Sequence, residues 1–379
     1  MEVFLTVLAS LLVFGFLIFI HEFGHFITAR IFKVTVNEFS IGMGPKLFWY
    51  DSKKSGTRYS LAMLPIGGYV AMAGENDGIS DPKPQEKNEN AAGTQPLTAE
   101  AAAADDPNGF DKKPAWQRYI ITAAGAFVNI TFGLIAMFII VGMIKIGGTT
   151  VAVFDTEAEL VQINENVDYT YRSSDKLQAG DIITHVEGKK VVIADELSYQ
   201  IMRHGNKPIT LTVIRDGVEM EIADVVFPRI SDQGQEFGLM DFRVYAVKKT
   251  FGSFFSISIR KTALVLRMCW ESIFDLITGR YTVAAVSGPV GISSAIGDAV
   301  SAGFLSVLNL VVIISINLGF MNLLPIPALD GGRLLVLTVE MLTKKRMPAR
   351  VEAAINAGGL AVLLLLSVVI MVKDIFTLF

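Results

Sequence analysis

Four stretches of this sequence contain no Asp, Glu, Lys or Arg: Val3–Ile20, Ile120–Ile144, Ala299–Leu329 and Ala353–Val372. Each is long enough, or nearly so, to supply the roughly 17–25 apolar residues with which a helix crosses about 30 Å of hydrocarbon. Backbone polar groups in lipid must be paired within their own segment, so each stretch predicts a spanning helix. The composition agrees, because 51% hydrophobic residues against 18% charged ones, with a mean hydropathy of +0.47, exclude a fully soluble chain. A net charge of −4 and a pI near 5.7 leave no basic footprint for nucleic acid. The single Cys269 excludes an intramolecular disulfide and a cysteine-rich metal site.

Charge placement predicts the orientation. Arg30, Lys33, Lys46, Lys53, Lys54 and Arg58 follow the first span, and Lys112, Lys113 and Arg118 precede or open the second. Lys344, Lys345, Arg346 and Arg350 crowd the short connection between the third and fourth. The positive-inside rule puts both connections in the cytoplasm and both termini outside it. The first span reads as a retained helix, since Met1-Glu2 carries no Lys or Arg and no small-residue cleavage site follows.

Between spans two and three, residues 147–246 then form an extracytoplasmic domain. Ile209-Thr-Leu-Thr-Val-Ile214 followed by Arg215-Asp216-Gly217 is a strand leading into a hairpin turn. Leu177-Gln-Ala-Gly-Asp-Ile-Ile-Thr-His-Val-Glu-Gly188 resembles the turn and strand of a PDZ domain, for which Asp195–His204 supplies the helix. Residues 247–298 are expected to be an interfacial amphipathic helix and connection: Arg260, Lys261 and Arg267 recur too often among Phe251, Phe255, Trp270 and Phe274 for a fifth crossing. Residues 77–113, rich in Pro, Ala, Asn, Asp and Glu, predict a flexible cytoplasmic insert.

One span carries chemistry. His21-Glu22-Phe23-Gly24-His25 is an H-E-x-x-H motif continuing directly from the first apolar stretch. Residues four apart share a helix face, so both imidazoles can point at one zinc ion while Glu22 reaches a water at the remaining position. In such a site Glu22 takes a proton from water and passes it to the leaving amine. The other histidines, His185 and His204, belong to the extracytoplasmic domain. The third ligand is expected to be Asp330, in Asn322-Leu-Leu-Pro-Ile-Pro-Ala-Leu-Asp-Gly-Gly332, because spans one and three run in the same direction and end at the same depth. Pro325 and Pro327 interrupt the helix there, and irregular backbone at membrane depth is tolerated only against protein or a wet cavity.

The paired motifs, the four spans and the PDZ-like segment together resemble the site-2 protease family of intramembrane zinc metalloproteases, in its bacterial regulator-of-sigma-E protease branch. The resemblance implies that His21, His25 and Asp330 bind Zn2+, that Glu22 is the catalytic acid/base, and that Asn322 and Pro325 lie beside the substrate. It implies that Asn37–Gly74, with Gly67 and Gly68, is a membrane-associated β-hairpin region holding substrate as an added strand. It also implies a bacterial cytoplasmic-membrane location with the site near the cytoplasmic side, and membrane-embedded substrates such as anti-sigma factors or remnant signal peptides, screened by the PDZ-like domain.

The expected fold is therefore a polytopic α-helical membrane protein with four transmembrane helices, a membrane-associated β-hairpin region and an extracytoplasmic PDZ-like α+β domain. Its divisions are residues 1–34 (first helix), 35–76 (β region), 77–113 (insert), 114–146 (second helix), 147–246 (PDZ-like), 247–298 (interfacial helix), 299–335 (third helix), 336–351 (cytoplasmic loop) and 352–379 (fourth helix). Two departures from the family pattern stand out: Gly125-Ala-Phe-Val-Asn129 has Ala126 where G-P-x-x-N is common, and Tyr171-Arg-Ser-Ser-Asp-Lys-Leu177 replaces the usual apolar approach to the PDZ turn. A scaffold with a vestigial metal site predicts zinc-free protein. A metal transporter predicts interrupted helices in repeated halves, and the sequence has no such repeat.

Overall fold

The computed structural model describes residues 2–75, 106–163, 166–205, 207–232, 235–280 and 286–378. Most of the expected insert, residues 76–105, lies outside the described residues. The chain divides into two compact units, one built from residues 1–133 and 287–379 and the other from residues 134–286.

In the first unit, α1 (Glu2–Ile31) leads into a two-stranded antiparallel hairpin of β1 (Val36–Asp51) and β2 (Arg58–Met72). The hairpin is strongly irregular, with register shifts throughout β1 from Val36 to Phe48. Gly42 and Gly44, at φ +86° and +88°, take backbone conformations that side-chain-bearing residues rarely adopt. Ala29, Val34, Val36, Phe39, Val70, Met72, Phe110 and Ile121 form one buried cluster joining the end of α1, the hairpin and the start of α2 (Ala115–Met143). Phe110 is 3% exposed, so the last residues of the expected 77–113 insert are packed structure rather than flexible linker. Their apolar anchor is a single aromatic that composition alone does not reveal.

The apolar stretch expected to form one span over 299–335 is divided. It begins within α6 (Pro289–Ala302), breaks at Gly303 with φ +106°, continues as α7 (Phe304–Leu323) and then turns. A new helix, α8 (Asp330–Thr343), starts at the aspartate itself. The breaks follow from Gly303 and from Pro325 and Pro327, none of which sustains a helix. The last helix, α9, covers Ala349–Leu378. Four segments are long and apolar enough to cross a membrane: Phe4–Ile31, Ala115–Met143, Phe304–Leu323 and Arg350–Asp374. On α9, Leu360, Val362, Leu364, Leu365 and Val369 are all exposed. Such a surface is stable facing lipid and not water, and the chain is a membrane protein.

The second unit contains a β domain. Strands β3 (Gly147–Phe154), β5 (Ile182–Val186), β7 (Ile209–Arg215), β8 (Val218–Val225) and β11 (Phe242–Ala246) form a sheet ordered β11-β3-β5-β7-β8, with β6 (Lys189–Lys190) beside β5. A smaller sheet joins β4 (Val167–Asp168), β9 (Arg229–Asp232) and β10 (Gln235–Gly238). The β7–β8 hairpin turns at Asp216-Gly217, both at positive φ, as the Asp-Gly dipeptide predicts. Helices α3 (Glu157–Ile163) and α4 (Ala194–His204) complete the domain, and Leu197 and Ile201 of α4 enter a core with Val151, Ile183, Leu211, Val213, Phe227 and Phe242. Tyr171–Leu177 is anchored by Ser173, whose backbone N–H and hydroxyl donate to the buried Asp241 carboxylate.

Helix α5 (Phe251–Ile277) is capped by Thr250 and Ser253 in a reciprocal pair of hydrogen bonds. Its charged residues are turned to α4: Lys261 Nζ lies 2.8 Å from Asp195, Arg260 3.4 Å from Glu196, and Glu271 accepts from the Tyr199 hydroxyl at 2.7 Å. Phe251, Phe255, Ile259, Trp270, Phe274 and Ile277 are exposed.

Candidate metal centre

The two histidines of H-E-x-x-H lie toward the C-terminal end of α1, one helical turn apart, with imidazole centroids separated by 4.9 Å. Asp330 reaches them from the first turn of α8. His21 Nε2 lies 3.2 Å from Asp330 Oδ2, His25 Nε2 lies 3.3 Å from the same oxygen, and the two Nε2 atoms are 3.3 Å apart. Three nearly equal separations point to a common centre and not to pairwise bonding. A charge-assisted hydrogen bond between imidazolium and carboxylate closes to about 2.7–2.9 Å, and Oδ2 is buried without a hydrogen bond of its own. By contrast, four donors about 2.0–2.1 Å from a tetrahedral zinc are held about 3.3–3.4 Å from one another. The donor set, two nitrogens and one carboxylate oxygen, suits zinc and leaves a fourth position for water.

Both histidines are oriented from α2. His25 Nδ1 donates to the backbone carbonyl of Ile121 at 2.9 Å, which commits its Nε2 lone pair to the centre. His21 Nδ1 faces the side-chain amide of Asn129 at 3.2 Å. Between these two positions lies Gly125, where a Cβ would come within 2.3 Å of His25 Nε2. At Gly24 of α1, a Cβ would lie 2.5 Å from the Ala124 carbonyl oxygen. The two helices therefore touch backbone to backbone at the metal centre, and only glycine permits it.

The loop before Asp330 is equally tight. A Cβ on Gly331 would lie 1.9 Å from the Leu324 carbonyl oxygen, and one on Gly332 2.5 Å from that of Ile326. The Asp-Gly-Gly sequence thus lets the chain fold back across the start of α8. Arg333 pairs with Glu75 and stacks over Phe110 at 4.8 Å, tying α8 to the chain that follows β2.

Residues 9–366 match the model of peptidase family M50. The chain belongs to this family. Among its M50 relatives, a protein of Fusobacterium nucleatum is 32% identical across 99% of this chain and 100% of its own length. The zinc metalloprotease RasP of Bacillus licheniformis is 31% identical, and the regulator of sigma-W protease RasP of Bacillus subtilis 29% identical, each across 99% of both chains. This M50 chain is a zinc metalloprotease of the site-2 type.

Of the other residues expected at the site, Gly68 on β2 lies against Glu22: a Cβ there would be 2.8 Å from Glu22 Cγ and 3.0 Å from Ile18 Cγ2. Gly67 packs instead on Met43, at φ +75°. Asn322 occupies the last turn of α7, and Pro325 the turn that leads to Asp330. Sequence reading missed Gly24 and Gly125 as the contact between α1 and α2, and noted Asn129 only as part of a family pattern. The available signal was a small residue in each helix and one amide side chain inside an otherwise apolar span.

Proposed function

We propose that this M50 protease holds zinc with His21, His25 and Asp330, uses Glu22 as general acid/base, and hydrolyses a peptide bond within or near the transmembrane segment of single-span membrane proteins. The observation that carries the reading is the near-equilateral arrangement of two imidazole nitrogens and one carboxylate oxygen, 3.2–3.3 Å apart.

Zinc, when bound, supplies Lewis acidity and lowers the pKa of a coordinated water. Glu22, one residue from His21, would take a proton from the attacking water as its oxygen adds to the scissile carbonyl carbon. It then delivers the proton to the amide nitrogen as the C–N bond breaks. A helical substrate shields its carbonyls, so the segment is unwound and laid along the β1–β2 hairpin as an added strand. Gly68, beside Glu22, lets that strand approach closely, while Asn322 and Pro325 border the substrate from the other side.

The basic connections support a site at the cytoplasmic side of a bacterial cell membrane, with both termini extracytoplasmic. Helix α5 lies in the membrane interface with its apolar residues toward lipid. The β domain is PDZ-like and screens substrates whose extracytoplasmic part has already been shortened. Membrane-anchored anti-sigma factors and remnant signal peptides are the substrate classes that this reading favours.

Reconstitution in liposomes with a single-span substrate tests the reading. Glu22→Gln retains one zinc per chain and loses cleavage, whereas Asp330→Ala loses zinc. Cleavage by Glu22→Gln at the wild-type rate, or full zinc occupancy in Asp330→Ala, removes that residue from its role.

A further inference from the structure

Ile121, Gly125 and Asn129 recur every four residues on α2 and so share one face. That face serves both histidines: the Ile121 carbonyl accepts from His25 Nδ1, Gly125 makes room for the rings, and the Asn129 amide meets His21 Nδ1 at 3.2 Å. Asn129 is fully buried. It is held from a third helix, where the Ser315 hydroxyl of α7 donates to its backbone carbonyl at 2.9 Å and Gly319 leaves room for its Cβ.

The orientation of this amide is chemically informative. With Nδ2 toward His21, Oδ1 is left buried and without a partner. Rotating the amide about its Cβ–Cγ bond exchanges the two atoms at almost unchanged shape, which is why amide orientation is assigned from bonding partners. Either orientation leaves one amide atom without a protein partner, so counting satisfied atoms does not decide between them. His21 does. If its Nε2 lone pair faces a cation, its proton resides on Nδ1, and the group 3.2 Å from Nδ1 must be an acceptor.

We infer that Asn129 is a positioning residue whose Oδ1 accepts the Nδ1 proton of His21 and thereby holds Nε2 toward the metal. The inference rests on the ligand set proposed above. It assigns α2 one job toward two ligands, done with a backbone carbonyl at His25 and a side-chain carbonyl at His21. Removing the acceptor leaves the ring free to rotate or to place its proton on Nε2, where it opposes metal binding.

The test compares zinc affinity, by competition with a chromophoric chelator, in the detergent-solubilised full chain: wild type, His21→Ala, Asn129→Ala and Asn129→Asp. The melting temperature of each zinc-free protein is recorded in parallel. Asn129→Ala weakens zinc binding by about 10–100-fold with its zinc-free melting temperature unchanged, the usual effect of losing a ligand's hydrogen-bond partner. Asn129→Asp, which keeps an acceptor in place, restores most of the affinity. Wild-type affinity in Asn129→Ala, or equal losses in the Ala and Asp variants, overturns the inference. Undiminished zinc in His21→Ala instead overturns the ligand set on which it rests. A measurement on the wild type does not depend on how any variant folds: in 15N spectra of the zinc-loaded protein, the His21 Nδ1 proton exchanges with D2O as slowly as that of His25. Free exchange at His21 alone overturns the inference.

Discussion

The backbone of Gly125 on α2 passes so close to His25 on α1 that a Cβ there would lie 2.3 Å from the imidazole Nε2, and 2.8 Å from Cε1 of both His25 and His21. No rotamer adjustment relieves both rings at once, because His25 is also tied to the Ile121 carbonyl. Gly125→Ala is expected to displace the two imidazole Nε2 atoms and, on the proposed ligand set, to lower zinc occupancy at least tenfold, an effect comparable to losing a ligand's hydrogen-bond partner. Elemental analysis of the purified variant checks this. Occupancy of one zinc per chain would show that the helices separate without disturbing the ligands.

Gly68 bears on Glu22 and not on His21, His25 or Asp330. A Cβ at this position meets Glu22 Cγ at 2.8 Å, the Ser40 carbonyl oxygen at 2.9 Å and Ile18 Cγ2 at 3.0 Å. Gly68→Ala is therefore expected to retain zinc while kcat falls by about 100-fold, the scale set by misplacing a catalytic group by about 1 Å. Turnover of a reconstituted single-span substrate, normalised to zinc content, separates this outcome from metal loss.

How far the sequence is legible depends on what makes each feature visible. The four apolar stretches and the H-E-x-x-H motif are local signals, and the structure contains an apolar helix at each stretch and brings His21, His25 and Asp330 together. The third stretch hides its subdivision, because Gly303 and Pro325 interrupt a run whose hydrophobicity is continuous on both sides. Gly24, Gly125 and Asn129 act through a neighbouring helix, so a small residue or an amide within one apolar run marks a contact without saying what it meets. Lys261, Arg260 and Glu271 illustrate the same limit. Lys261 and Arg260 read as charges that keep α5 out of the hydrocarbon, and the structure adds that they are partnered with Asp195 and Glu196 of α4, while Glu271 accepts from Tyr199.

The α4–α5 contact centres on a buried ion pair. Arg203 donates to both oxygens of Asp275, at 2.6 and 3.0 Å, and Asp275 is 2% exposed. Burial disfavours the Arg203 charge, but the bonds to Asp275 and Tyr199 outweigh it and hold the guanidinium pKa above its ordinary value. Arg203→Met leaves the buried Asp275 carboxylate with only the long 3.9 Å approach of Arg280. It is expected to lower the opening free energy of the α5 amides by about 3 kcal/mol, as for other broken buried pairs. Arg203→Met/Asp275→Leu is expected to recover most of that loss, since it removes the stranded charge. Hydrogen exchange of the full chain reads both effects, and equal protection in the single and double variants would refute the coupling.

Cys269 lies on the same helix and is the only thiol in the chain. Burial pushes its pKa from 9.0 up to about 11. A raised thiol pKa means that the neutral form dominates at every physiological pH, so the thiolate fraction at pH 8 falls about 100-fold relative to the unfolded chain. The more basic thiolate is also more nucleophilic, which returns about tenfold at a Brønsted slope near 0.45. Alkylation of the folded protein by iodoacetamide at pH 8 is thus expected to be about tenfold slower than after unfolding in detergent. The pH profile gives a sharper check: the rate for the unfolded chain levels off above pH 9, whereas that for the folded chain keeps rising to pH 10 and beyond. A folded-state profile that also levels off near pH 9 would place the thiol in contact with water.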